Sequence, residues 1–341
     1  MNGTPDPPLT MKDMAALAGV SESTVSRALA DHPSIAAKTR ARIQALSAEH
    51  GYTINPVARS LRSRQTRTLA VVIPLFHDMA QHLSDPFFSL ILGHLADAAA
   101  LRGYDMLLSK VVDPDHPWVG KAVETRRADA VIVIGQSLAH EAIAAAARRG
   151  TPVVAWGAKV DAAGYTTVGS DNRMGGDLAA SQLLDSGRRR LAFLGDRRLL
   201  EIAQRFEGFV EAHRRRGLTC DPALVVDARF EPEEARRDLL PLVRGAVQLD
   251  GVVAASDLIA ISMIQTLNEA GRRTPRDVGI VGFGDTPFAA HTNPPLTTIR
   301  QDIRRGAELL VELALRLAAG EHVESVELPV DLVARHSALS N

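Results

Sequence analysis

Cysteine is nearly absent: the 341-residue chain has one, Cys220, in the turn-like stretch GLTCDP. No disulfide can form within the chain, which fits a reducing compartment, and a lone thiol in a turn reads as incidental, not as a nucleophile. Long apolar runs are absent too. The apolar stretches are strand-sized, well short of the roughly 18 residues that a membrane span needs. The opening MNGTPDPPLT has neither a basic start nor an apolar core of signal-peptide type. A cytoplasmic protein without a membrane partner is expected. The sequence also lacks a Gly-rich phosphate loop, a Ser nucleophile elbow and paired Cys/His metal spacing. These absences argue against an enzyme and leave no motif for a metal or cofactor.

What is present is unevenly arranged. The formal net charge is -1, yet residues 1–67 carry nine Lys/Arg against five Asp/Glu, leaving -5 for the other 274 residues. A small basic head on a mildly acidic body suggests a polyanion partner for the head alone, although a solvated charged face would look similar. With 46% hydrophobic residues, the length allows two or three packed units.

Residues 1–8, with Pro5, Pro7 and Pro8, are expected to be disordered. Three helices are then predicted. Thr10 caps the first, with Asp13 in its first turn, and Gly19 stops it. Ser21 caps the second, which runs to about Ala30, and the third runs from about Ala36 to His50. Helix, tight turn and helix is the helix-turn-helix spacing, with Met14, Ala15, Ala18, Val20, Val25 and Leu29 as its small core. The second helix offers Glu22, Ser23, Ser26 and Arg27 to solvent. Arg can grip guanine, Glu can accept from a cytosine amino group, and Thr24, Ser26 and the helix N-terminus suit phosphates. An ordinary three-helix cap with polar outer residues is the plain alternative.

NPVARSLRS follows, with Asn55 as cap and Pro56 at the first helical position. Nine residues are too few for a stable isolated helix, so the segment needs a partner. Leu61 among Arg59, Arg62 and Arg64 is what a minor-groove wedge requires, unless the stretch is an exposed linker. After residue 67 the rhythm becomes strand and helix in alternation: TLAVVIP, YDMLLSK, ADAVIVIG, TPVVAWG, YTTVGS, RLAFLGD, DGVVAAS and DVGIVGFG. Short Val/Ile/Leu-rich runs between helical segments signal parallel sheets covered on both faces.

TMKDMAALAGVSESTVSRAL, AKTRARIQALSAEHGY and NPVARSLRSRQTRTLAVVIP, with PPLTTIRQD and LPVDLVARHS far downstream, resemble the lactose-repressor (LacI/GalR-type) family of bacterial transcription regulators. The resemblance covers nearly the whole chain from residue 9. It implies an α-helical helix-turn-helix head over 9–54, a hinge helix over 55–67 and an α/β effector and dimerisation body over 68–341. That body would have the two-subdomain, type I periplasmic-binding-protein architecture. Its N-subdomain would cover about 68–171 and 301–329, and its C-subdomain about 172–300 and 330–341. Glu22, Ser23 and Arg27 match the family's base-reading positions, and Thr24, Ser26, Asn55 and Arg59 its backbone and groove contacts. Leu61 matches the hinge wedge. The caps Thr10 and Ser21 complete the expected DNA-contacting set. Ala36 departs from the usual Ser or Thr and predicts a weaker cap.

The resemblance further implies a homodimer on double-stranded DNA with a near-palindromic operator. A sugar or sugar-acid effector is expected between the halves, where strand ends meet. The candidate effector residues are Phe88, Gln136, Asp171, Arg205, Phe230, Ser256, Asp285 and Gln301. Asp171 could instead be a helix cap, Arg205 a surface ion pair and Phe88 a core residue. Gly284 stands where many sugar-binding members carry an aspartate, and losing an anion beside Arg205 would favour an acidic sugar. The implied function is a repressor of carbohydrate-utilisation genes under allosteric control. A transport-type binding protein would need an export signal and no DNA head. A sugar-processing enzyme on the same body is the other alternative. No heptad-rich tail follows LPVDLVARHSALSN, so a tetramer built by an added helix is not expected.

Overall fold

The computed structural model describes residues 9–52, 65–76, 81–113, 118–160, 163–245 and 248–339. The expectations for residues 1–8 and for Asn55, Arg59 and Leu61 fall outside the described residues. The chain divides at Thr66/Arg67 into two compact units.

The first unit contains α1 (Met11–Ala18), α2 (Glu22–Leu29) and α3 (Ala37–Glu49). A reciprocal box opens α1. The Thr10 hydroxyl accepts from the Asp13 N–H at 3.3 Å, and the Asp13 carboxylate accepts from the Thr10 N–H at 2.9 Å. Gly19, at φ 61°, ends the helix in the left-handed conformation that costs glycine least. Ser21 caps α2, whereas Ala36 gives α3 no side-chain cap. Arg42 of α3 donates to the Ala18 carbonyl at 2.8 Å, putting a cation on the negative end of α1. Met14, Val25 and Ile43 are fully buried at the centre. Each such side chain contributes about 1.5–3 kcal/mol over an exposed one, much of what a three-helix unit has.

The second unit holds two six-stranded sheets. Sheet one runs β11-β5-β4-β3-β1-β2, all parallel. Its strands are β1 (Thr68–Pro74), β2 (Asp105–Val111), β3 (Ala130–Ile134), β4 (Val153–Trp156), β5 (Thr166–Ser170) and β11 (Val326–Leu328). Sheet two runs β12-β10-β9-β8-β6-β7, parallel except for β10 against β12. Its strands are β6 (Leu191–Leu194), β7 (Val225–Val226), β8 (Gly251–Ala254), β9 (Gly279–Gly284), β10 (Thr297–Gln301) and β12 (Val330–Val333).

Alternation explains the unbroken apolar runs. In β1, Leu69, Val71 and Ile73 enter one core with α4 (Pro86–Ala100) and α11 (Ile303–Ala318). Ala70 and Val72 enter another with α6 (His140–Arg148). Both faces are therefore dry. A third core fills the half built on sheet two. Between α4 and α6 lies the short α5 (Lys121–Glu124), and α9 (Pro232–Arg244) packs on α10 (Asp257–Glu269). The chain crosses between the halves after Ser170, after Gln301 and at Pro329, which separates β11 from β12.

The second half begins with α7 (Asn172–Asp185) and, after β6, α8 (Leu200–Arg215), which cross at unusually close range. A Cβ on Gly176 would sit 1.9 Å from the Arg205 carbonyl oxygen, and one on Gly208 would sit 1.9 Å from that of Arg173. Backbone cannot yield as a flexible side chain can. Gly208→Ala should therefore lower stability by about 1–3 kcal/mol, read as a lower urea midpoint. An unchanged midpoint would show that the helices do not need this approach.

Candidate functional site

In the first unit, Glu22, Ser23 and Arg27 are exposed on α2, and Thr24 and Ser26 are partly exposed. The buried residues of that helix, Val25 and Ala28, face the head's core. The polar face is thus the one left for a partner. Its N-terminus is tied by hydroxyls: Ser21 Oγ lies 2.9 Å from both Ser23 Oγ and Thr24 Oγ1. Thr10 is committed to its capping box and offers only its outer surface.

The second unit encloses a cavity of about 130 Å³ between its two sheets. Strand ends and helix starts build it. Sheet one contributes Pro74, Ile134 and Trp156, with Phe87 and Phe88 from α4; sheet two contributes Ala255, Phe283 and Gln301. Arg205 of α8 lies at its centre. Its guanidinium stacks on the Phe283 ring, 3.6 Å from the centroid. Nε donates to Asn172 Oδ1 at 2.9 Å and Nη1 to the Ala255 carbonyl at 2.5 Å. Burial brings its pKa down to about 10, opposed by the nearby charges of Glu201 and Asp257. The group is a cation at neutral pH, with donors left for a ligand.

Carboxyl groups balance that charge. Asp257, buried at the start of α10, accepts from Thr298 Oγ1 at 2.6 Å, from the Thr286 N–H at 2.7 Å and from Thr286 Oγ1 at 3.0 Å. Burial nevertheless raises its pKa. Glu201, one turn before Arg205, is also pushed up by burial, while Arg205 and a bond from the Gln136 backbone pull it down. Across the cleft, Gln204 Nε2 donates to the Lys159 carbonyl at 3.2 Å. Asp85, which caps α4, is raised in the same way. Among the described residues no cluster of three His, Cys, Asp or Glu could hold a metal, and no helix is long and apolar enough to cross a membrane.

Comparison with known proteins fits both units. Residues 10–55 match "Bacterial regulatory proteins, lacI family", and residues 180–338 match "Periplasmic binding protein-like domain". The HTH-type transcriptional regulator CelR of Thermobifida fusca is 29% identical over 326 residues, covering 94% of this chain and 95% of its own. The first unit matches the lacI family, and the similar regulators cover nearly the whole chain. A solved CelR–cellobiose complex is 27% identical with a TM-score of 0.71, covering 96% of this chain and 99% of its own. A Lac repressor dimer bound to operator and an anti-inducer has the same fold at TM-score 0.85 and 24% identity, covering 98% and 100%. With that domain and those relatives, the protein is a DNA-binding transcriptional regulator and not an enzyme.

Within this regulator, five of the eight expected effector residues line the cavity: Phe88, Arg205, Phe230, Ser256 and Gln301. Phe88 also belongs to the core of its half, and Ser256 also caps α10. Three do not line it. Asp171 caps α7, accepting from the Met174 N–H at 2.9 Å, and its own N–H donates to the Leu328 carbonyl. Gln136 is fully buried behind the cavity, donating to the Ala158 carbonyl and the Tyr165 hydroxyl. Asp285 is claimed by two cations, Arg300 Nε at 2.7 Å and Arg335 Nη2 at 2.6 Å. Trp156, Glu201 and Phe283 line the cavity without having been expected. Glu201 was findable, since a residue four before Arg205 shares its helix face. Trp156 ends a strand and fits because its ring lies over Gly306, where a Cβ would meet it at 2.2 Å.

Two outcomes follow. Asn172→Ala leaves Arg205 short of an acceptor and should weaken whatever the arginine binds about tenfold, with calorimetry as the check. Glu201 ionises near 4.5 when unfolded and at higher pH when folded, so folding takes up a proton in that window. Stability should therefore fall as pH rises upward from the ordinary carboxylate range. Glu201→Gln should flatten that slope in urea unfolding between about pH 4 and pH 8.

Proposed function

We propose that this regulator is a cytoplasmic homodimeric repressor of carbohydrate-utilisation genes, controlled by a neutral sugar held between its two sheets. The observation that carries the reading is Arg205, set among aromatic rings with carboxyl groups on either side. Arginine donors beside carboxyl acceptors suit the paired donor and acceptor character of sugar hydroxyls. Rings such as Phe87, Trp156 and Phe230 suit the apolar faces of a sugar. The cellobiose named in the CelR complex supports the class. A cavity of about 150 Å³ holds one benzene-sized ring, so the space here favours a monosaccharide.

The sugar-acid alternative loses its argument. Gly284 does lack a carboxylate, but Asp257 points at that place: a Cβ on Gly284 would lie 3.4 Å from Asp257 Oδ2. Arg205 faces Glu201 and Asp257, so a ligand carboxylate would share the cleft with two carboxyl groups.

On DNA, α2 enters the major groove of each half-site with Glu22, Ser23 and Arg27 at base edges. Thr24 and Ser26 serve phosphates. Asn55, Arg59 and Leu61 act in the minor groove, Leu61 as the wedge. Effector binding shifts the balance between arrangements of the two halves, and only its differential affinity for them can drive the shift.

Calorimetry with D-glucose, D-gluconate, cellobiose and hypoxanthine tests the effector class. A neutral sugar should bind, with Arg205→Met costing about a hundredfold. Binding of hypoxanthine alone would overturn the reading. On the DNA side, Arg27→Ala should cost about 1–3 kcal/mol and relax one operator position. Leu61→Ala should keep the fold and lose most specific affinity in gel shifts; operator binding as tight as the parent's removes the wedge.

A further inference from the structure

The cavity's polar groups are divided unequally between its walls. Arg205, Glu201 and Asp257 stand on the half built on sheet two; Gln81 and Asp85 stand on the other. Gln81 is only 6% exposed. Its Nε2 donates to Asp85 Oδ2 at 3.1 Å, and its backbone carbonyl accepts from Lys110 Nζ at 3.0 Å. The remaining Asp85 oxygen accepts from the Phe87 N–H at 2.8 Å. With Asp85 Oδ2 accepting, the amide turns its nitrogen to Asp85 and leaves its oxygen over. That Gln81 Oε1 has no partner among the described residues. Gln136 and Gln204 also hold unpaired side-chain oxygens, but neither residue lines the cavity.

We propose that Gln81 is a specificity-determining residue whose Oε1 accepts a hydrogen bond from one effector hydroxyl, on the wall opposite Arg205. The effector is then gripped from both halves, and a ligand lacking that hydroxyl is rejected because it leaves a buried acceptor unpaired. This rests on the neutral-sugar reading above and adds which wall reads a donor. Lys110 and Asp85 fix the residue from behind, so its oxygen is preset before the ligand arrives.

The test uses the full chain, with D-glucose, D-galactose, D-xylose and cellobiose as probes, then single-deoxy forms of the tightest binder. In the parent, one deoxy position should cost about ten- to a hundredfold on account of Gln81. In Gln81→Met that one penalty should disappear while the other deoxy penalties persist. Gln81→Ala gives the same readout if methionine does not pack, with thermal unfolding as the check on folding. A purely structural Gln81 predicts that all sugars weaken together and every deoxy penalty stays; that result overturns the proposal and leaves the sugar reading intact. No sugar binding to the parent overturns both.

Discussion

A guanidinium lying on an aromatic ring inside a cleft is costly to desolvate, and the second half of this protein is organised around meeting that cost. Arg205 keeps its charge because Phe283, Asn172 and the Ala255 carbonyl take up its face and two of its nitrogens, while Glu201 and Asp257 supply opposing charge. That arrangement needs α7 and α8 to approach until backbone meets backbone, which the glycines at 176 and 208 permit. Helix crossing, strand ends and site charge are therefore one constraint. A side chain on either glycine would carry Arg205 away from Asn172.

The same helix ties the halves together. Gln204 of α8 donates to the Lys159 carbonyl across the cleft. The amide oxygens of Gln136 and Gln204 are buried without partners among the described residues. Such groups cost about 1–3 kcal/mol each when left unpaired. A ligand between the halves acts on their arrangement only through its differential affinity for one arrangement over another.

Local chemistry made the head legible in the sequence. The Thr10 box, the Gly19 stop, the Ser21 cap and the apolar spacing of Met14, Val25 and Leu29 are all written within a few residues of where they act. The central strands were legible because both faces are dry and the runs are unbroken. The strands at the third crossing were not, since β11 and β12 are short, carry Glu327 and Asp331, and sit at sheet edges. In the site, Arg205 was legible through the family resemblance and Ser256 from its place at a strand end. Asp285 misled because its fate depends on Arg300 and Arg335, distant in sequence, and on a left-handed backbone at φ 48°. Asp171 looks the same in sequence whether it caps a helix or binds a ligand.

The threefold passage of the chain between halves has a consequence for the ribosome. Leu310, Ala307 and Leu313 of α11 belong to the core of the half whose first strand begins at Thr68. That core stays open until more than two hundred further residues have been translated. A nascent chain paused at Leu296 has already exposed most strands of both sheets yet has neither α11 nor β10 to close them. Neither half is complete until the residues after Leu296 have been made, so both finish folding near the end of synthesis.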